Sequence, residues 1–309
     1  MIRCRIVGPL SWLGLLLLPA CARSTVETGA AQQTEPSTAT LVATVTGLAG
    51  PESVRYDPDQ DVYFVSNFNG PGNARDNNGF ISRVLPDGTI DRLRFIAGGE
   101  GGVTLHAPRG MTIVGDTLWV ADADAVRGFH RRTGAPVASV DFTALGAGFL
   151  NDVTAGPDGT LYVTDTPRNR VYRIAGRTAS IVLEDTVLNQ PNGITWDRTG
   201  NRAIVLPFGG KRTLLGWEPG GTGLQVVATL SGGGRYDGVE VLARERLLVS
   251  SQADSSLYIV TGSQSHPIAR TTGAPADIGV DTRRNRVAVP YVALNRVDIW
   301  QLPRSYSLR

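Results

Sequence analysis

Gly156-Pro157-Asp158-Gly159-Thr160-Leu161-Tyr162-Val163-Thr164 reads as a turn followed by a strand. Pro-Asp-Gly supplies the tight reversal, and Leu-Tyr-Val-Thr carries the β-branched and aromatic side chains that suit a pleated, half-buried surface. The same strand returns as Val62-Tyr63-Phe64-Val65, Leu118-Trp119-Val120-Ala121, Ala203-Ile204-Val205-Leu206, Leu247-Leu248-Val249-Ser250 and Val287-Ala288-Val289-Pro290. Each copy follows a shorter strand and precedes further strands. The spacing is roughly 40 residues, lengthened once by an insertion, and that period belongs to the blades of a β-propeller. The fold expected is therefore all-β, a six-bladed β-propeller over residues 41–303. A sandwich also strings short strands between turns, but it does not predict a returning register.

Within this period the inner strands fall at 53–57, 110–114, 152–155, 193–197, 238–242 and 277–281. The last blade runs out of chain after three strands. The orphan β segment Leu41-Val42-Ala43-Thr44-Val45-Thr46 can supply the fourth, closing the ring and removing an exposed pairing edge.

Outside the repeat, residues 1–22 read as a leader: Arg3 and Arg5 precede an apolar run too short to span a bilayer comfortably. Leu18-Pro19-Ala20-Cys21 resembles a bacterial lipobox, which would make Cys21 a lipidated N-terminus, while Ala20-Cys21-Ala22 fits an A-x-A cleavage site. Either route exports the protein, to the periplasm or to a membrane reached only through the lipid anchor. Residues 23–40, rich in Ser, Thr, Ala and Gln, read as a flexible tether, and 304–309 as a C-terminal tail. Cys4 and Cys21 are the only cysteines, so the mature domain has no internal disulfide, no thiol nucleophile and no cysteine-ligated zinc. The net charge of +2 is spread along the chain without a basic, aromatic-interleaved stripe, which argues against nucleic acid as a partner.

Aligning the inner strands places one residue per blade at the same point of entry: Glu52, Arg109, Asn151, Asn192, Asp237 and Ala276. Two carboxylates and two carboxamides, Glu52, Asn151, Asn192 and Asp237, offer hard oxygen donors around one axis. That chemistry suits one divalent cation, Ca²⁺ before Mg²⁺ or Mn²⁺, with positions left for water or substrate. For any single residue of the four, the competing reading is an Asx turn, since Asn-Gly and Asp-Gly are common turn dipeptides.

On Pro51-Glu52, Leu150-Asn151-Asp152 with Pro157-Asp158-Gly159 and Thr164-Asp165, Pro191-Asn192-Gly193 and Tyr236-Asp237-Gly238, the chain resembles the family of senescence marker protein, gluconolactonase and luciferin-regenerating enzyme. More distantly it is similar to diisopropyl fluorophosphatase and the paraoxonases. The resemblance implies a six-bladed propeller with a metal, usually calcium, in the central tunnel. It implies metal-ligand positions at Glu52, Asn192 and Asp237, a ligand or substrate contact at Asn151, and a nucleophile or general base at Asp237. Two departures stand out: Ser53 follows Glu52 where gluconolactonases usually have glycine, and Phe149 stands where sugar-acid lactonases carry a substrate-gripping arginine.

Arg109 can hold a substrate carboxylate or stabilise an oxyanion, or instead pair structurally with Glu52 or Asp152. His106 can sit at the tunnel mouth as an acid or base contacting substrate, or be an ordinary loop histidine. Asp122 and Asp124 read as turn residues. The insertion 67–79 reads as a lid or plain loop, its spacing matching no EF-hand. No G-x-S-x-G elbow and no H-E-x-x-H occurs. The function expected is an exported, metal-dependent hydrolase of lactones or related esters, with Asp237 as base or nucleophile and Arg109 or Asn151 orienting a small-molecule substrate. The alternative is a non-catalytic propeller that binds a small molecule, glycan or protein around a structural metal.

Overall fold

The computed structural model describes residues 38–221 and 223–306. The leader, Cys21 and all but the end of the tether lie outside the described residues.

Six four-stranded antiparallel sheets form the propeller, each with neighbouring strands in sequence order except the last. The inner strands are Pro51–Asp57, Met111–Val114, Leu150–Ala155, Pro191–Asp197, Tyr236–Leu242 and Gly279–Asp281. In the last blade the N-terminal strand Thr40–Val45 pairs antiparallel with Arg296–Gln301, Leu41 facing Trp300 and Val45 facing Val297. The expected closure therefore holds, with the strand starting one residue earlier than the sequence suggested. Ala39, at the end of the expected tether, is already tied down by its N–H to the Ile268 carbonyl at 2.8 Å.

Alternation along each strand sends apolar side chains to both faces of a blade, because both faces are covered by neighbours. The consequence is an apolar cluster at every blade junction. Phe64 and Ile81 meet Met111 and Leu118 between the first two blades, Tyr162 and Val171 meet Ile194 and Val205 between the third and fourth, and Val54 and Val65 meet Ala288 and Ile299 where the ring closes. Each such side chain contributes roughly 1.5–3 kcal/mol by leaving water, so the ring is held by packing without a disulfide. Backbone hydrogen bonds reinforce the closure: Asp277 N–H donates to the Glu52 carbonyl at 2.9 Å and Val54 N–H to the Asp277 carbonyl at 3.2 Å.

At the far end of the inner strands an aspartate organises the turn. Asp57, Asp197 and Asp281 each accept two backbone N–H groups through Oδ1 from the residues that follow, at 2.8–3.2 Å. Four residues further on, Asp61, Asn201 and Asn285 take up the left-handed conformation, where a short polar side chain is tolerated. Arg131, Arg202 and Arg284 neutralise the three aspartates.

Candidate active site

The opposite end of the inner strands carries the site. In four blades the pairing with the second strand slips at the same place: between Pro51 and Val54, Leu150 and Val153, Pro191 and Ile194, and Tyr236 and Val239. Two residues in each case escape the ladder, namely Glu52-Ser53, Asn151-Asp152, Asn192-Gly193 and Asp237-Gly238. A bulge of this kind re-aims a side chain, and here four equivalent bulges hand four oxygen-bearing residues to the axis. The Asn-Gly and Asp-Gly pairs are thus strand bulges rather than turns. Their glycines permit close approach of neighbouring inner strands: a Cβ on Gly193 would collide with the Asp237 carbonyl oxygen, and one on Gly238 with the Ile278 N–H.

Three of the bulged N–H groups are caught by a hydroxyl from the second strand. Ser66 Oγ accepts from Ser53 at 2.9 Å, Thr164 Oγ1 from Asp152 at 3.0 Å and Ser250 Oγ from Gly238 at 2.7 Å. Thr164 and Ser250 also donate onward, to the Asn192 and Ala276 carbonyls of the next blade. These hydroxyls stitch each bulge to its neighbour and so fix the spacing of the ring.

All six entry residues, Glu52, Arg109, Asn151, Asn192, Asp237 and Ala276, line one cavity of about 520 Å³. The five polar ones are only 3–5 % exposed. Within this ring Glu52 Oε2, Asn192 Oδ1 and Asp237 Oδ1 are buried without a hydrogen-bond partner. Three orphaned oxygens from three blades are costly unless something electropositive faces them. The remaining groups are oriented from behind. Gln252 Nε2 donates to Asp237 Oδ2 at 2.6 Å, and Asn151 Nδ2 donates to Thr166 Oγ1 at 2.9 Å, whose proton goes to the Pro191 carbonyl. That leaves Asn151 its Oδ1 as a free acceptor. The donor set is all oxygen, with two formal charges, and fits a hard divalent cation such as calcium.

The electrostatics agree with that fit. Burial pushes the Glu52 carboxyl well above its ordinary range, and the Asp237 charge adds to the effect. Burial likewise pushes Asp237 up to about 8, Asp277 adding to it while Gln252, Arg109 and Asn192 pull it back. Such carboxylates are poorly solvated in the cation-free protein, and a bound cation is the natural counter-charge.

Arg109 does not pair with Glu52 or Asp152. Its guanidinium is stacked on Phe149, 3.5 Å from the ring centroid, and faces Phe68 at 4.6 Å. One Nη donates to the Gly72 carbonyl, while Nε is buried without a partner. Burial lowers its pKa to about 10, so it remains a cation at neutral pH. The insertion 67–79 is accordingly part of the site: it brings Phe68 and Asn73 to the cavity wall and Gly72 to Arg109.

His106, expected at the tunnel mouth, is not brought to the cavity wall. Its Nδ1 accepts from the Asn77 N–H at 3.0 Å, and Leu105 N–H donates to Asn77 Oδ1 at 2.8 Å, so this histidine anchors the base of the insertion. Its Nε2 lies 3.8 Å from Asp124. His106, Asp122 and Asp124 bring potential ligand atoms within 4.8 Å of one another. However, Arg127 already bonds Asp122 at 2.7 Å and Asp124 at 2.6 Å, and Asp122 also accepts the N–H groups of His106, Ala107 and Ala123. A cation there would have to displace an arginine, so this cluster is a loop anchor, in keeping with the turn reading of both aspartates. Beneath the cavity, Asp152 and Asp277 tie inner strands together through Ile194 N–H and Ser53 Oγ, and Arg55 pairs with Glu240 at 2.6 Å.

No family model and no curated protein sequence matches the chain. Solved structures do resemble it. A gluconolactonase from Xanthomonas campestris superposes with a TM-score of 0.64 at 17% identity, over 88% of this chain and 96% of that one. A streptogramin B lyase gives 0.61 at 12% identity over 86% and 98%, and virginiamycin B lyase from Staphylococcus aureus gives 0.56 at 13% over 84% and 98%. At these identities the likeness establishes the β-propeller fold.

Proposed function

We propose that this protein is an exported, divalent-metal-dependent hydrolase of lactones or related esters. The observation that carries this reading is the trio of partnerless buried oxygens on Glu52, Asn192 and Asp237, at the wall of a cavity large enough for a small molecule. Glu52, Asn192 and Asp237, with Asn151, would hold the cation, calcium being the best match to an all-oxygen set. When bound, such a cation supplies Lewis-acid polarisation of a substrate carbonyl oxygen.

The chain's own groups supply the rest. Asp237 accepts the proton of a water whose oxygen attacks the acyl carbon, or attacks that carbon directly through Oδ1. Along the water route the acyl C–O bond then breaks and the proton passes to the departing alkoxide. Along the direct route the alkoxide departs as the acyl–Asp237 bond forms, and a water then cleaves that bond, its proton going to the alkoxide and its hydroxyl to the acyl carbon. Gln252 holds Oδ2, so the free oxygen of Asp237 is the one facing the cavity chemistry. Asn151 and Arg109 orient the substrate.

The lyase neighbours pose a second possibility, elimination. The Staphylococcus aureus lyase is catalytically inactive when a histidine is replaced by alanine. No histidine is among the described residues lining this cavity, which favours hydrolysis.

Metal analysis of purified full-length protein, combined with a lactone and aryl-ester panel, tests the reading. Bound divalent metal with turnover that disappears in a folded Asp237→Asn variant is the expected result. Bound metal with no turnover on any substrate would indicate the non-catalytic binding propeller instead.

A further inference from the structure

Above the ring of oxygens the cavity wall changes character. Phe68, Phe149, Pro167, Phe208 and Val292 make up half of the ten residues that line it there. Four polar side chains lie among the ten, of which Thr166 and Gln252 are committed and Asn73 and Gln190 are not. Gln252 Nε2 serves Asp237, and Thr166 Oγ1 serves Asn151 and the Pro191 carbonyl. A polyhydroxylated ligand needs several free donors and acceptors at fixed positions, and among the described residues above the ring Asn73 and Gln190 alone are left to supply them.

Arg109 is the only cationic residue lining the cavity among the described residues. It is 3 % exposed, sandwiched between Phe68 and Phe149, and without a carboxylate within 4.0 Å. Its one hydrogen bond goes to the Gly72 carbonyl, and Nε has none. A guanidinium has five N–H donors, and leaving the buried Nε–H unmet is costly. The partner that suits its planar fork is a carboxylate. The two aromatic rings that hold the fork in place also line the cavity into which the rest of such a ligand would extend.

We propose that the cavity is a subsite for an apolar, ring-bearing carboxylate: Arg109 reads the carboxylate, and Phe68, Phe149 and Phe208 pack against the hydrocarbon body. This names the substrate class of the site described above, and it rests on the hydrolase reading only for what becomes of the ligand. A lactone or ester that carries, or on opening releases, such a carboxylate is the matching substrate, in preference to a sugar lactone.

Equilibrium binding to the full chain in the presence of calcium tests this directly, with phenylacetate, its neutral analogue 2-phenylethanol and gluconate as probes. Phenylacetate is expected to bind at least tenfold more tightly than either of the others. Arg109→Met should weaken phenylacetate at least tenfold, with Arg109→Lys recovering part of the loss because it restores charge without the fork. Phe149→Ala, which leaves the charge in place, should weaken phenylacetate and leave gluconate unchanged. Circular dichroism and thermal melting establish that each variant is folded. Gluconate binding as tightly as phenylacetate, or phenylacetate binding unchanged in Arg109→Met, would overturn the assignment. A protein that binds phenylacetate through Arg109 yet turns over nothing supports the subsite and removes the hydrolase reading alone.

Discussion

Asp237→Asn should make the metal-stripped protein more stable at pH 8 while leaving it nearly unchanged at pH 4. The reason is the sign of the carboxyl's shift. Burial moves Asp237 from an ordinary 3.8 up to about 8, so the folded state prefers the protonated form. A group raised in this way contributes its full stability below about pH 4, and the contribution is lost as pH rises towards 8. Four units would correspond to roughly 5 kcal/mol at 1.36 kcal/mol per unit. Relaxation of the site on ionisation reduces this, and a loss of about 2–5 kcal/mol between pH 4 and pH 8 is the working range. Asparagine keeps the shape and cannot ionise, so the variant escapes that loss and also relieves Glu52, whose carboxyl Asp237 pushes upward. Calcium should narrow the gap at pH 8, and reverse the order if the variant's advantage lies at the low end of that range. At a hundredfold excess over Kd it stabilises the wild type by about 2.7 kcal/mol and the variant far less. Urea unfolding followed by tryptophan fluorescence, in chelator and in calcium at pH 4, 6 and 8, reads all of this. Parallel pH profiles for the two proteins in chelator, or equal stabilisation of both by calcium, would refute the reasoning.

Two further outcomes follow from the way the ring is built. Gly193→Ala drives a methyl into the Asp237 carbonyl oxygen, so it should cost about 1–3 kcal/mol in denaturant melts and weaken calcium binding together with stability. Val45→Asp places a charge on the buried face of the closing strand, and should destabilise by several kcal/mol or expose the edge of the last blade, detected as a lowered melting midpoint or as aggregation by light scattering.

The blade count, the strand order and the closing role of the N-terminal segment were legible because each rests on a repeated local signal. Val62-Tyr63-Phe64-Val65 and its five counterparts announce themselves by alternation and turn chemistry, and Leu41–Thr46 by having no blade of its own. The ring of entry residues was legible for the same reason: equivalent positions in a repeat occupy equivalent places. What the phrases hid was how the chain aims those side chains. Asn192-Gly193 and Asp237-Gly238 look like turns, yet both lie inside strands, and only the pairing slip reveals the bulge. The hydroxyls that fix the bulges were visible as Ser66, Thr164 and Ser250, each the last residue but one of its second strand, but a serine or threonine near a strand end carries no signal until the neighbouring N–H is seen. Similarly, the Asp57/Asp61, Asp197/Asn201 and Asp281/Asn285 pairs repeat at a fixed interval of four and could have marked the far-end turns. Contacts between distant segments were out of reach. Nothing in the sequence places Phe149 on Arg109, or sends His106 to Asn77 instead of the cavity, because each contact joins segments roughly 30–40 residues apart.

The most direct measurement is calcium stoichiometry and affinity by titration calorimetry on the stripped full chain, for the wild type, Glu52→Gln, Asn192→Ala, Asp237→Asn and, as a control away from the axis, Asp124→Asn. One ion per chain, with affinity reduced at least a hundredfold by each of the first three substitutions and untouched by the control, is the predicted result. Binding that survives those three, or that is abolished by Asp124→Asn, would contradict it.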